Sequence, residues 1–340
     1  YWTKIVGEEV GFDIEEFSDE FSSMVLKVNA MNNTMKKLLD EQTKNAKNNI
    51  GENVDELNEI IQSKIDKIFP VRQLKISDFE ETDKEPRDVV TKWVNVRNKG
   101  EEFAFKTISE WERAYVQNQV TILKELHDWQ NIIRVYGLAC ERDNWYLVSE
   151  WAEYGNLREY YTNYGDRFDM RLKLRMSLDI ARGLNFLRAV EILHYDIRAE
   201  NILITLYETA KLANFKLNRP VFATLRQRRN LELVRYCAPE LLEMAHNFKY
   251  DYKCEVYSFG ILLWEIAEER TPYEEYKDIV KLTNLVRYQK YRESFSKYSR
   301  MPPSFIELAN KAFNHEPELR PKIVDAFKTL SCCFEESSGW

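Results

Sequence analysis

The sequence has no apolar run long enough to span a bilayer, no surplus of positive charge, few cysteines and few glycines. Without an apolar span there is no candidate membrane helix. A formal net charge of −7 gives no basic face for a phosphate backbone, so nucleic acid is not an expected partner. The five cysteines, Cys140, Cys237, Cys254 and the adjacent pair Cys332 and Cys333, form neither a metal-ligand spacing nor a secreted disulfide framework. A reducing compartment, the cytoplasm, is therefore expected. The chain begins at Tyr1 and not at a Met, which is compatible with a further upstream domain or targeting segment. Only 10 glycines occur, and residues 77–96 contain none.

What is present is an ordinary globular composition, 44% hydrophobic and 31% charged, with room for one large two-lobed domain and a smaller module. The smaller module comes first. Phe17, Phe21, Met24, Val28, Met31, Met35 and Leu38 alternate spacings of four and three, as the seam of an amphipathic helix does. An Asn- and Lys-rich patch with Gly51 interrupts this pattern. A second apolar series follows at Val54, Leu57, Ile61, Ile65 and Ile68 and is closed by Pro70. The two series predict a helical hairpin over 1–70. So regular a stripe is expected to be a protein-facing seam, against the following domain or another chain, which leaves self-association open. Its polar faces mix Glu, Asp, Lys and Asn and lack the basic character that favours anionic lipid, so a membrane is the less favoured partner.

The rest of the chain is organised around Leu193 to Lys216. An Asp and an Asn five positions apart, Asp196 and Asn201, precede an apolar strand, a turn and a second apolar strand that ends in Asn214-Phe215-Lys216. This layout resembles the catalytic and metal-binding loops of protein kinases, which read H-R-D-x-x-x-x-N and D-F-G. Around it lie further matches in order: Phe103-Ala104-Phe105-Lys106, the Ser149-Glu150-Trp151-Ala152 connector, Ala238-Pro239-Glu240, Glu255-Val256-Tyr257-Ser258-Phe259-Gly260, and Arg320. The ordered set is far more specific than any one motif. It implies an α+β, bilobal protein-kinase-like fold over 71–331, with a small β-rich lobe (71–149), a large helical lobe (154–331) and a tail at 332–340.

The resemblance also assigns roles. Lys106 would bridge nucleotide phosphates and a partner on the next helix, where Gln119 stands in place of the family's Glu. Ala104, Ser149, Glu150, Trp151, Ala152 and Leu203 would line an adenine slot. Asp196, Asn201 and Arg198 would be the residual catalytic set, and Asn201 with Asn214 the metal ligands. Leu74 to Phe79 and Val89 to Val96 read as the first strands, Trp145 to Val148 as the strand entering the connector, and Leu172 to Leu187 as the helix feeding the central loop.

Several positions depart from the family's chemistry. The glycine-free stretch and its acidic Glu80, Glu81, Asp83 and Glu85 disfavour phosphate both sterically and electrostatically. Gln119 can hydrogen-bond to Lys106 but cannot form an ion pair. Tyr195 replaces the Arg that grips a phosphorylated activation loop in many family members, and a phenol makes no bidentate charged contact. Asn214 brings no negative charge to a hard cation, and Lys216 replaces a hinge glycine with a fixed charge. Each lost charge-stabilising group costs ~10²–10³ in rate. Thr224, Arg226, Arg228 and Arg229 read as a solvated loop.

These features predict a pseudokinase of the tyrosine-kinase-like group, with weak ATP binding that does not depend on metal and with Mg²⁺ not firmly held. It would act as a signalling switch or scaffold through protein partners. An active protein kinase is the first alternative. The second rests on a resemblance in layout to mixed-lineage kinase domain-like proteins, and is a death-effector whose helical module acts on membranes.

Overall fold

The computed structural model describes residues 73–82, 89–126, 129–142, 144–216, 230–242 and 250–337, together with 23, 24, 26–31, 33, 34 and 37. Residues 26–31 are helical, so part of the first apolar series is in the expected state. Val28 on that stretch is fully buried while Leu26 is 71% exposed, as one turn of an amphipathic helix requires. Phe17, Phe21, Met35, Leu38, the second series at 54–68 and the basic segment from Thr224 to Arg229 lie outside the described residues.

The chain divides into two compact units, the first made of Tyr1–Asp128, Arg134–Glu150 and Ala189–Ile192. Its strands are β1 (Gln73–Leu74), β2 (Phe79–Glu81), β3 (Val90–Asn95), β4 (Glu102–Ile108), β5 (Val135–Glu141) and β6 (Asn144–Glu150), with helix α1 (Glu110–Glu125) after β4. They form one sheet in the order β1-β5-β6-β4-β3-β2, antiparallel throughout except for the β1–β5 pair. The single first strand expected over Leu74 to Phe79 is instead two short strands separated by a 3₁₀ turn at Ile76–Asp78. That turn lets Leu74 pair with β5 at one edge of the sheet and Phe79 with β3 at the other.

Period-two alternation puts Phe103 and Phe105 on one sheet face, where both are buried. Phe79, Trp93, Tyr136 and Tyr146 pack around them, with Trp93 stacked on Phe105 at 4.5 Å between centroids and Phe79 edge-on to Phe103 at 5.0 Å. Helix α1 packs on β5 through an apolar stripe that includes Val116, Val120 and Leu123. At its C-terminal end Glu125 pairs with Lys27 of the N-terminal helical stretch at 2.6 Å.

The second unit comprises Trp129–Ile133, Trp151–Arg188 and Leu193–Trp340. It holds α2 (Leu157–Tyr164), α3 (Met170–Ala189), β7 (Ile202–Ile204), β8 (Ala210–Leu212), α4 (Leu231–Val234), α5 (Tyr252–Glu268), α6 (Ile279–Arg287), α7 (Pro303–Ala312) and α8 (Ile323–Glu336). Helix starts follow local chemistry. Asn156 and Glu159 form a reciprocal capping box on α2, and the Asp251 and Asp278 side chains cap α5 and α6. α5 is buried along almost its whole length and is the axis of this unit. Gly260 on it is required by a close approach: a Cβ there would meet the Phe313 backbone N, just past α7, at 2.6 Å. Two of the matched positions, Glu240 and Arg320, whose counterparts pair in the family that the motifs resemble, form a buried, bidentate pair at 2.5 and 2.8 Å.

Candidate functional site

The loop between α3 and β7 is held from below by a single carboxylate. Glu255 Oε1 accepts the backbone N–H groups of His194 and Tyr195, and Glu255 itself is buried on α5. Burial pushes its pKa up to about 7, against the two N–H donors, which favour the ionised form. His194 is also fully buried, and burial pushes its imidazole down to about 4. The ring is therefore neutral near pH 7, with Nδ1 accepting the Asp196 N–H at 3.3 Å and the ring lying 4.4 Å from that of Phe215. Between them Tyr195 has a left-handed backbone (φ 69°) and stacks on Tyr250 at 4.7 Å. It thus contributes an aromatic contact where a phosphate-gripping Arg would stand.

Four of the residues singled out from sequence come together here. Asp196 is buried, and its Oδ1 lies 3.0 Å from Arg198 Nε, within ion-pair range though not aligned as a hydrogen bond. Asn201 Nδ2 donates to the Asp196 backbone carbonyl at 2.8 Å. Asn214 Nδ2 in turn donates to Asn201 Oδ1 at 3.1 Å. Asn214 also has a left-handed backbone (φ 57°), which Asn tolerates better than most residues. Backbone hydrogen bonds from Ala213 to Asn201 and from Lys216 to His194 fix the two loops against each other.

This donor set does not fit a divalent cation well. A hard cation needs free, preferably anionic oxygens. Asp196 supplies the one carboxylate of the set and already faces Arg198, while Asn201 Oδ1 already accepts the Asn214 amide. Among the described residues no cluster of His, Cys, Asp and Glu has the makings of a metal site.

Leu203 lies on β7, bridged to Asn156, and Trp151 and Ala152 open the Trp151–Arg188 stretch of the second unit. In the first unit Ala104, Lys106 and Ser149 share one sheet face, whereas Glu150, next to Ser149 on β6, belongs to the other face and Gln119 lies on α1. Ala104 and Lys106 alternate along β4, and Ser149 on β6 stands directly opposite Ala104. The Glu150 carboxylate accepts the Arg134 backbone N–H at 2.7 Å, and the Glu150 N–H donates to the Arg134 carbonyl in return. Gln119 is buried on α1, and its Nε2 has no hydrogen-bond partner among the described residues. A Glu there would have no such orphan donor.

Sequence reading missed a partly buried charge network centred on Arg158 of α2. Its guanidinium reaches Glu200 at 2.6 Å, Glu232 at 3.3 Å, Glu265 at 2.9 Å and the Tyr236 hydroxyl at 2.6 Å, and Tyr236 also bonds to Glu265. Burial works against the Arg158 charge, but Tyr236, Glu265 and Glu200 outweigh it and raise its pKa. Burial lifts Glu265 to about 7. These residues are far apart along the chain and follow no local spacing, so no sequence signal joins them. No described helix is long and apolar enough to cross a membrane.

A model of the protein tyrosine and serine/threonine kinase family matches residues 88–330. The mixed lineage kinase domain-like protein of Mus musculus is 32% identical over 205 residues, covering 58% of this chain and 42% of its own length. Its Homo sapiens counterpart is 31% identical over 212 residues, 59% and 44% of the two chains. The probable serine/threonine-protein kinase SIS8 of Arabidopsis thaliana is 28% identical over 217 residues, 63% of this chain and 20% of its own. The chain thus spans less than half the length of each of these relatives.

Proposed function

Because the chain belongs to the protein tyrosine and serine/threonine kinase family, we propose that its kinase domain is a catalytically impaired switch or scaffold that binds ATP weakly and without need of a divalent metal. The observation that carries this reading is the Asn214–Asn201 amide bond. It engages the oxygen that would bind the cation and presents no new charge in exchange. ATP itself would meet the small-lobe face bearing Ala104 and Lys106. When bound it supplies a transferable γ-phosphoryl group. Asp196, paired with Arg198, is poorly placed to accept a hydroxyl proton freely. The domain works in the cytoplasm through protein partners, which it engages by its N-terminal helices and its kinase lobe.

A second reading, a slow protein kinase, is favoured by the retention of Asp196 and Asn201 in one buried loop. One experiment separates the two. Melting of the purified chain is followed with ATP alone and with ATP plus Mg²⁺ or Mn²⁺, beside a sensitive phosphorylation assay. Impairment is expected to give a small melting shift of the same size in every arm and no phosphate transfer. A large shift that requires metal, or measurable transfer that Asp196→Asn abolishes, would establish the slow kinase instead.

A further inference from the structure

The segment from Arg287 to Arg300 carries five cations against the single Glu293, in a chain whose net charge is −7. It is a firmly anchored platform. The Arg292 guanidinium bonds the carbonyls of Phe313, Val286 and Tyr291; the Ser294 carbonyl accepts the Trp264 indole N–H; and Ser296 N–H donates to Glu268. From this frame Tyr298 projects 91% exposed and Tyr288 66% exposed, and Lys290, Lys297 and Arg300 are exposed as well. Lys290 reaches Glu316 at 3.2 Å, an exposed pair that salt and competing anions readily exchange. Exposed Tyr among Lys and Arg on a rigid support is the composition of a recognition surface for an acidic partner.

The same chain contains such a partner. Residues 8–20 hold seven Asp or Glu and no Lys or Arg, a charge equal to that of the whole chain, so the remainder is neutral. Val10, Phe12, Ile14 and Phe17 are interleaved among these carboxylates and would supply apolar contacts for the tyrosine rings.

We propose that the basic and aromatic surface of residues 287–300 takes the acidic segment 8–20 of a second copy of this chain. The contact joins unlike surfaces, so it is heterologous: each copy keeps one donor and one acceptor surface, and association continues beyond a dimer unless the geometry closes a ring. Because the attraction is between exposed charges, it is screened by salt. It is independent of the nucleotide-facing residues.

The test is sedimentation velocity of the full chain across a concentration series, at low salt and at about 1 M, where the Debye length is about 3 Å. The average mass is expected to rise with concentration at low salt and return to that of a monomer at high salt. The double variant Lys297→Glu with Arg300→Glu, and separately Glu15→Lys with Glu16→Lys, should each weaken association by at least about tenfold, equivalent to ~1.4 kcal/mol. Mixing the two variants should restore it, since each then meets a complementary surface on the other. Because all four side chains are replaced by charged ones, an unchanged melting temperature checks that each variant is folded. A monomer at every concentration, association indifferent to salt and to both reversals, or capture by anionic lipid vesicles without self-association would each overturn the proposal.

Discussion

Replacing Asn214 by Asp tests the amide bond directly. The substitution removes the Nδ2 donor and sets a carboxylate oxygen against Asn201 Oδ1, two acceptors at a separation where the parent has a hydrogen bond of 3.1 Å. Without metal the variant loses that bond, worth about 1 kcal/mol net, and for a domain of this size the melting temperature should fall by about 2–4 °C. A divalent cation between the two oxygens reverses the sign. At a hundredfold excess over its Kd, ligand stabilises by about 2.7 kcal/mol, so Mg²⁺ with ATP should raise the variant's melting temperature by roughly 5–10 °C. The assay is a thermal melt of parent and variant in EDTA, in Mg²⁺, in ATP and in both. An Asn214→Asp variant that melts with the parent in EDTA and gains nothing from metal would refute this role for the amide bond; the glycine-free stretch at 77–96 would then be the governing defect.

Three further outcomes follow from the large unit. Burial raises Glu255 and Glu265 from 4.5 to about 7, so the folded state keeps protons that the unfolded chain releases; their contribution is full below about pH 4.5 and is lost as pH climbs towards 7. His194, lowered from 6.5 to about 4, runs the other way and is lost as pH falls through that interval. Glu255→Gln should therefore shrink the drop in urea midpoint between pH 5 and pH 8, and an undiminished drop would contradict the assignment. Gly260→Ala should cost about 1–3 kcal/mol by overpacking against Phe313, measured as a lowered denaturation midpoint. Arg158→Leu should cost on the order of 3–5 kcal/mol because it leaves the fully buried Glu265 without its cation and with only the Tyr161 and Tyr236 hydroxyls, with Arg158→Lys intermediate; a loss under about 1 kcal/mol would show that the network is not a stabilising one.

Much of the fold was legible because local chemistry marks it. The alternation from Val89 to Val96 and the apolar periodicity from Leu174 to Leu187 led to β3 and α3, and their bounds differ from the reading by only a few residues. Glu240 and Arg320 could be paired only through resemblance, since 80 residues separate them. The 3₁₀ break at Ile76–Asp78 was not legible, because Leu74 and Phe79 are held by strands at opposite sheet edges and nothing local marks that division. At the site, sequence marked Asn214 as the position of a weakened or lost metal ligand. It could not show that the Asn214 amide is turned onto Asn201, because a side chain's hydrogen-bond partner depends on the backbone angle at that residue, here left-handed.

The kept and altered positions sort by what their removal would do to the folded chain. Arg320, Glu240, Glu255 and Glu265 are buried ionisable groups held by wholly or partly buried partners; removing one leaves a polar partner unpaired in a poor dielectric, at a cost that is a large part of a domain's total stability. Stability alone holds them in place, whether or not phosphate is transferred. Asn214 and Lys216 are only partly buried, and a metal-binding Asp there would place a carboxylate beside Asn201 and Asp196 that only a bound cation could compensate. Once metal is not used, an amide at 214 is the more stable choice, since it turns a repulsive neighbour into a donor. The persistence of the buried charges is therefore weak evidence for catalysis. The amide at Asn214 is what folding stability would favour under the metal-independent reading proposed above, so the Asn214→Asp melt, and not the buried charges, is the measurement that decides it.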